Sequence, residues 1–351
     1  MNKLATEAID LLRKMVATPS ESFQEDAVSE LIFNALKDWG LKPARYENNI
    51  VCSCASFDRS RKTLVLDAHI DTVPAAAGYN RDPYDAGNRD DVIYGLGSND
   101  DGGSAVAMIA AFRHYYDRPG PVNLVLSLSA EEEKSGAKGA ALLYGPEGPS
   151  EVRDADWVII GEPTGMKAAT GEKGLLVLDG LAEGVSGHAA RNEGVNALYI
   201  ALDDIDKLRK YSKERLTITQ INAGTAHNVI PDKCHFVVDI RPEGGRDNEE
   251  ILKELQAICR SSLSARNLTN KSSATFQNSP LLRVLKDSGI ETFSSPTTSN
   301  WMKIGKDAIK MGPGDSSRSH RADEYILCDE IEEGIEKYID FIETFYGNFM
   351  E

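Results

Sequence analysis

Leu64-Val65-Leu66-Asp67-Ala68-His69-Ile70-Asp71-Thr72-Val73-Pro74 is the stretch that decides the fold. Its first half is apolar at both strand parities, so a strand here needs apolar cover on both faces, as in a parallel sheet between helix layers. It ends in His69-x-Asp71, and side chains two apart on a strand share a face. Carboxyl ends of such strands are where α/β proteins build their sites. Runs of the same kind recur at 122–129 (VNLVLSLS) and 156–160 (DWVII), with a helix expected at about 102–116. Upstream, Leu4, Ala8, Leu11, Leu12 and Met15 fall at helical spacing over 3–16, and Pro19 ends that helix. Ser22-Phe23-Gln24-Glu25 reads as a capping box opening a second helix, whose stripe runs from Ala27 to Trp39 with Gly40 as the stop.

Between about 175 and 277 the pattern changes. Strand (175–186), helix (194–211), strand (216–222), strand (234–241), helix (248–264) and weak strand (273–277) give the β-α-β-β-α-β order of a small ferredoxin-like domain. A helix at 279–287 and the apolar run 308–311 then return to the first sheet. The expected class is α/β: a mixed central sheet flanked by helices, split into 1–174 and 278–351, with a ferredoxin-like α+β lid inserted at 175–277.

Composition narrows the partners. The 351 residues hold 39 Lys plus Arg against 55 Asp plus Glu, a formal net charge of −16. Nucleic acid and anionic membranes attract clustered positive charge, so neither is expected. No apolar run approaches the roughly 20 residues of a membrane-spanning helix. The opening MNKLATEAIDLLRKMVATPS contains Glu7 and Asp10 and has no separate apolar block, unlike a signal peptide. The cysteines (Cys52, Cys54, Cys234, Cys259 and Cys328) are odd in number and form no Cys-x-x-Cys, which points to reduced thiols in the cytoplasm. Cys52-x-Cys54 suits a soft metal, but within a strand it is expected to be two small buried apolar residues.

Chemistry-bearing residues gather at the turns. A histidine with an acid beside it suits a metal ligand whose tautomer is fixed from behind, although His69-x-Asp71 alone suits a buried structural pair equally well. Tyr94-Gly95-Leu96-Gly97-Ser98-Asn99-Asp100-Asp101-Gly102-Gly103 opens a helix. Its paired carboxylates would repel phosphate, leaving Asp100 or Asn99 as an N-cap, a cation ligand, or both. Ser129-Ala130-Glu131-Glu132-Glu133 follows an apolar strand, where an acid run otherwise reads as a solvated face. Gly161-Glu162-Pro163-Thr164 follows another, and His320 lies in the loop Gly312-Pro313-Gly314-Asp315-Ser316-Ser317-Arg318-Ser319-His320.

Together these motifs, over essentially the whole chain, resemble the di-zinc aminoacylase and carboxypeptidase family, which includes acetylornithine deacetylase and succinyl-diaminopimelate desuccinylase. The resemblance implies two Zn2+ per subunit, with Co2+ or Mn2+ as substitutes. It implies that His69 and Glu162 hold one metal, Glu133 and His320 the other, and Asp100 bridges them. Asp71 would orient His69, and Glu132 would act as general base and then acid. The lid histidine of the family matches His188, which would act on the partner subunit of a homodimer formed through the lids. Asn228, Arg241 and Lys173 match positions expected to face substrate, although Arg241 also suits an ordinary salt bridge and Lys173 a hinge contact. The implied activity is hydrolysis of an N-acyl amino acid amide, in the manner of acetylornithine deacetylase in arginine biosynthesis. Alternatives are an N-succinyl- or N-acetyl-citrulline, lysine or diaminopimelate deacylase, a dimetal dipeptidase, or a non-catalytic binder of amino-acid derivatives.

Overall fold

The computed structural model describes residues 3–191, 193–243 and 246–350. The chain forms two compact units: Met1–Gly171 with Thr275–Ser294 and Ser299–Glu351, and Glu172–Ala274 with Ser295–Thr298. These borders lie three residues before the expected 174 and 278, and Ser295–Thr298 joins the second unit rather than the first.

In the first unit, the sheet runs in the spatial order Ala44–Tyr46, Asn49–Ser53, Asn123–Ser129, Thr63–His69, Trp157–Ile160, Asp307–Lys310, Ala168–Glu172. Strand Thr63–His69 pairs in parallel with both its neighbours, and Asp307–Lys310 pairs in parallel with Trp157–Ile160. Antiparallel pairing of Asn49–Ser53 and Ala44–Tyr46 makes the sheet mixed. Every residue of Thr63–His69 and of Asn123–Ser129 is buried. Alternation sorts them: Leu64, Leu66, Leu124 and Leu126 join the core with helices Lys3–Val16, Gly103–Tyr115 and Cys328–Gly347, while Val65 and Val125 face Leu143, Val152 and Trp301 on the other side. Removing one such leucine to alanine costs about 2–5 kcal/mol. Helix Gly103–Tyr115 is buried continuously from Gly103 to Phe112, which is why its sequence lacks a polar face. The parallel strands all end at the same edge, and there the chain presents Asp71, Glu131–Glu133 and Glu162.

The second unit has an antiparallel sheet in the order Arg215–Ala223, Lys233–Arg241, Leu176–Glu183, Ser262–Ala265. Its core packs Leu176, Leu178, Phe236, Val238 and Ile240 against Ala197, Ile200, Leu208, Ile251 and Leu255 of helices Ala197–Arg209 and Asn248–Ile258. Gly180 is required by close approach, because a Cβ there would come within 2.4 Å of the Phe236 ring.

Three local expectations change. The helix predicted to reach 264 ends at Ile258, because Asp204 Oδ2 accepts hydrogen bonds from the Arg260 and Ser261 amides (2.9 and 2.7 Å) and pulls the chain out of the helix. The fourth strand of this sheet is therefore Ser262–Ala265 rather than 273–277. The second helix starts at Asp26, and its N-cap Glu25 makes no side-chain cap bond, so Ser22 and Glu25 do not form a capping box. Cys52 and Cys54 are buried, and no cysteine forms a disulfide. No helix among the described residues is long and apolar enough to cross a membrane.

Candidate metal centre

His69 ends its strand only 2% exposed. Its Nδ1 lies 3.0 Å from the Asp71 carbonyl oxygen. A carbonyl only accepts, so Nδ1 bears the proton and Nε2 is the lone-pair nitrogen of the neutral ring. That Nε2 faces Asp100 Oδ1 at 3.2 Å. The other Asp100 oxygen faces His320 Nε2 at 3.7 Å, so one carboxylate addresses both histidines. His320 also lies 3.1 and 3.0 Å from the two oxygens of Glu133.

Donor atoms of His69, Glu132 and Glu133 lie within 4.8 Å of one another, and so do those of Asp100, Glu133 and His320. Glu133 belongs to both groups. Glu162 lies outside these groups but is close enough to feel the charges of Asp100, Glu132 and His69. Buried Lys310, at the end of its parallel strand, favours the ionised form of Glu162.

Electrostatics show a site built for positive charge. Burial pushes Glu132 and Glu162 well above the usual carboxylate range, and neighbouring carboxylates push them further. His320 is raised to about 9 by its hydrogen bond to Glu133. At His69 burial disfavours the charged ring, but hydrogen bonds to Asp100 and Asp71 outweigh it and raise the pKa well above the ordinary value. Both imidazoles are thus drawn to hold a second proton where carboxylates converge. Imidazole nitrogens and carboxylate oxygens at these separations are the donor set of a divalent cation, which supplies the same charge.

Asp71 does more than face His69. Its carboxylate lies 3.5 Å from His69 Nδ1, and its shorter bonds go elsewhere. Oδ1 accepts from the Glu132 amide (3.0 Å), and Oδ2 accepts from the Glu133 amide (3.1 Å) and the Ser22 hydroxyl (2.7 Å). The Asp71 main chain sets the His69 tautomer, and the side chain both faces that ring and holds the 132–133 turn.

Glu324 and Asp67 escaped the sequence analysis. Glu324 is buried, and its Oε1 accepts from the Asn99 and Asp100 amides, both at 2.9 Å, fixing the turn that carries Asp100. Burial and the Asp100 charge raise it to about 7. An acid four positions after His320 was its only trace in the sequence. Asn99 and Asp315 exchange bonds of 3.1 and 3.0 Å, tying that turn to the His320 loop. Asp67, raised to about 6 by burial, accepts from Ser127 (2.8 Å) and Tyr144 (2.9 Å) beneath the strand end.

The remaining candidates lie in the second unit. His188 pairs with Val229 in a short antiparallel ladder, and the Asn228 carbonyl accepts from the Ala189 amide at 3.0 Å, so His188 and Asn228 are neighbours. Arg241 holds Asp239 through Nε (2.8 Å) and an Nη (3.1 Å), the salt bridge that its position also suited. Lys173 is ion-paired with Glu243.

This donor set stands at the parallel strand ends of a mixed sheet that a ferredoxin-like unit interrupts in sequence, an arrangement suited to binding divalent cations. Residues 65–344 match the peptidase family M20/M25/M40, and the chain belongs to that family. It is 28% identical to a probable carboxypeptidase from Emericella nidulans, over 72% of this chain and 67% of that protein. It is 27% identical to the acetylornithine deacetylase of Edwardsiella ictaluri, over 94% of this chain and 96% of that protein. A tripeptidase structure from Staphylococcus aureus shares the fold, with TM-score 0.79 and 19% identity, covering 97% of this chain and 98% of that one.

Proposed function

We propose that the protein is a cytoplasmic amidohydrolase that removes a short acyl group from the nitrogen of a free amino acid, as acetylornithine deacetylase does in arginine biosynthesis. The observation that carries this proposal is the placement of Asp100, with one oxygen toward each histidine and Glu132 beside the shared Glu133. Likeness to an acetylornithine deacetylase over nearly the full length of both chains supports the acyl substrate.

In this proposal His69 and Glu162 hold one cation, Glu133 and His320 a second, and Asp100 serves both. Zinc is the default by intrinsic affinity over cobalt and manganese. Bound there, such a pair supplies Lewis acidity toward the scissile carbonyl and lowers the pKa of a water. Glu132 accepts the proton of the attacking water and delivers it to the departing amine. Burial that raises Glu132 suits a carboxylate that must hold a proton between these steps. His188 donates to the developing oxyanion, acting on the partner's site in a homodimer. Asn228 and Arg241 bind the substrate carboxylate, for which Arg241 would have to exchange Asp239, and Lys173 contacts the substrate by exchanging Glu243.

The dimer has support within the second unit alone. Tyr199 (65% exposed) and Leu202 (48%) project from helix Ala197–Arg209, and Ile221 lies exposed on the edge strand Arg215–Ala223. Exposed apolar groups beside an open strand edge fit a self-complementary partner.

The test is turnover of zinc-loaded protein against N-acetyl- and N-succinyl-ornithine and -citrulline, N-acetyl-lysine, N-succinyl-diaminopimelate and two dipeptides. Chelator-sensitive release of amino acid from an acylated substrate is expected. Cleavage of the dipeptides alone would move the protein to the peptidase branch that the carboxypeptidase relative represents.

A further inference from the structure

The Ser22 and Glu25 side chains make no helix-capping bond, yet both are buried and engaged. The segment that bears them is stitched along the His69–Asp71 turn: the Ser22 amide donates to the Thr72 carbonyl (3.1 Å), and the Thr72 amide to the Ser20 carbonyl (2.9 Å). From there the Ser22 hydroxyl reaches Asp71 Oδ2 at 2.7 Å. Glu25 Oε1 accepts from its own segment at Phe23 (2.6 Å) and from the Glu131 amide (3.2 Å), and Oε2 accepts from the Asn48 amide group (3.2 Å).

The consecutive amides of Glu131, Glu132 and Glu133 therefore donate to Glu25, Asp71 and Asp71. Two carboxylates grip one turn from either side, and the 22–25 segment links them. Backbone N–H bonds to ionised carboxylates are the strong class of hydrogen bond, so this grip fixes where the Glu132 and Glu133 side chains leave the main chain. The Ser22 hydroxyl is the only side-chain group among the described residues that bonds the Asp71 carboxylate from outside the two catalytic turns.

We infer that Ser22 is a positioning residue: from the segment that Glu25 ties to the Glu131 amide, its hydroxyl acts through Asp71 to set the placement of the proposed base Glu132 and the proposed metal ligand Glu133. This inference rests on the metal-centre assignment proposed above. It predicts that losing the Ser22 hydroxyl loosens metal binding and slows turnover without altering substrate affinity. Removal of a group that orients ligands from behind typically costs 10–100-fold in metal affinity or activity.

The experiment compares wild type, Ser22→Ala and Ser22→Thr. The Zn2+ dissociation constant is read by competition with a chromophoric chelator, kcat and KM are read separately on the zinc-loaded proteins, and thermal midpoints verify folding. Ser22→Ala is expected to bind Zn2+ about tenfold more weakly and to lose about tenfold in kcat at unchanged KM, while Ser22→Thr recovers both. Wild-type values in Ser22→Ala overturn the inference, and so do equal losses in Ala and Thr, since volume rather than the hydroxyl would then matter. A wild type that binds no Zn2+ overturns the metal centre and this inference together. A wild type that binds Zn2+ but cleaves none of the acylated substrates overturns only the substrate proposal, and the ratio of Zn2+ constants still decides this one.

Discussion

Nε2 of His320 lies 3.0 Å from Oε2 of Glu133, joining positions 187 apart in the chain. That contact closes the loop Gly312–His320 over the turn after strand Asn123–Ser129. In the metal-free protein it is held by a proton, since His320 is raised to about 9. A cation and that proton compete for the same nitrogen.

Metal removal should therefore destabilise the protein in a pH-dependent way. Groups whose folded pKa is raised contribute stability below their unfolded pKa and lose it as pH climbs through the folded one. Glu324 (raised from 4.5 to about 7) and His320 (raised from 6.5 to about 9) place that loss between about pH 4.5 and 9 in the metal-free form, with the His320 share between about 6.5 and 9. A cation in thousandfold excess over its Kd adds about 4 kcal/mol, roughly 5 °C in thermal midpoint for a chain of this size. The midpoint gap between metal-loaded and chelated protein should widen from pH 6 to pH 9. A constant gap across that range would contradict the proton competition.

The turn bearing Asp100 depends on Gly314. Its φ is +87°, and a Cβ there would meet Asn99 Oδ1 at 2.4 Å, the atom that accepts from the Asp315 amide. Gly314→Ala combines a left-handed backbone with overpacking, together about 2–4 kcal/mol. It should lower the urea midpoint and, by displacing Asp100, weaken Zn2+ binding. Wild-type stability in this variant would show that the loop relaxes freely.

If the second units form the dimer, charges on their exposed apolar groups should break it. The double substitution Tyr199→Glu with Leu202→Glu should shift the sedimenting mass from two chains to one while leaving Zn2+ binding intact. An unchanged mass would place the interface elsewhere.

The frame and the site's edge were legible because strands buried on both faces read as continuous apolar runs, and acids directly after such runs (Asp71, Glu132, Glu133, Glu162) stand out against them. What escaped depends on contacts remote in sequence. Ser22-x-x-Glu25 has the spacing of a capping box, and nothing local reveals that its two side chains face different turns. Asp204 ends a helix more than 50 residues away, at Ile258, by capturing the Arg260 and Ser261 amides. Lys310 and Glu324 are charges buried against partners that only the assembled sheet and loops supply. The Asp71 role was half legible: its place beside His69 was visible, but its bonds to the Glu132 and Glu133 amides were not.

The central claim is that Glu132 transfers the proton in a site whose cations are held by its neighbours. The direct measurement is Glu132→Gln, assayed together for bound Zn2+ and for turnover of the best acylated substrate. The prediction is two Zn2+ per chain, as in wild type, with kcat reduced by about 10²–10⁴. Loss of a cation would make Glu132 a ligand, as its proximity to His69 and Glu133 permits, and undiminished turnover would remove it from the reaction altogether.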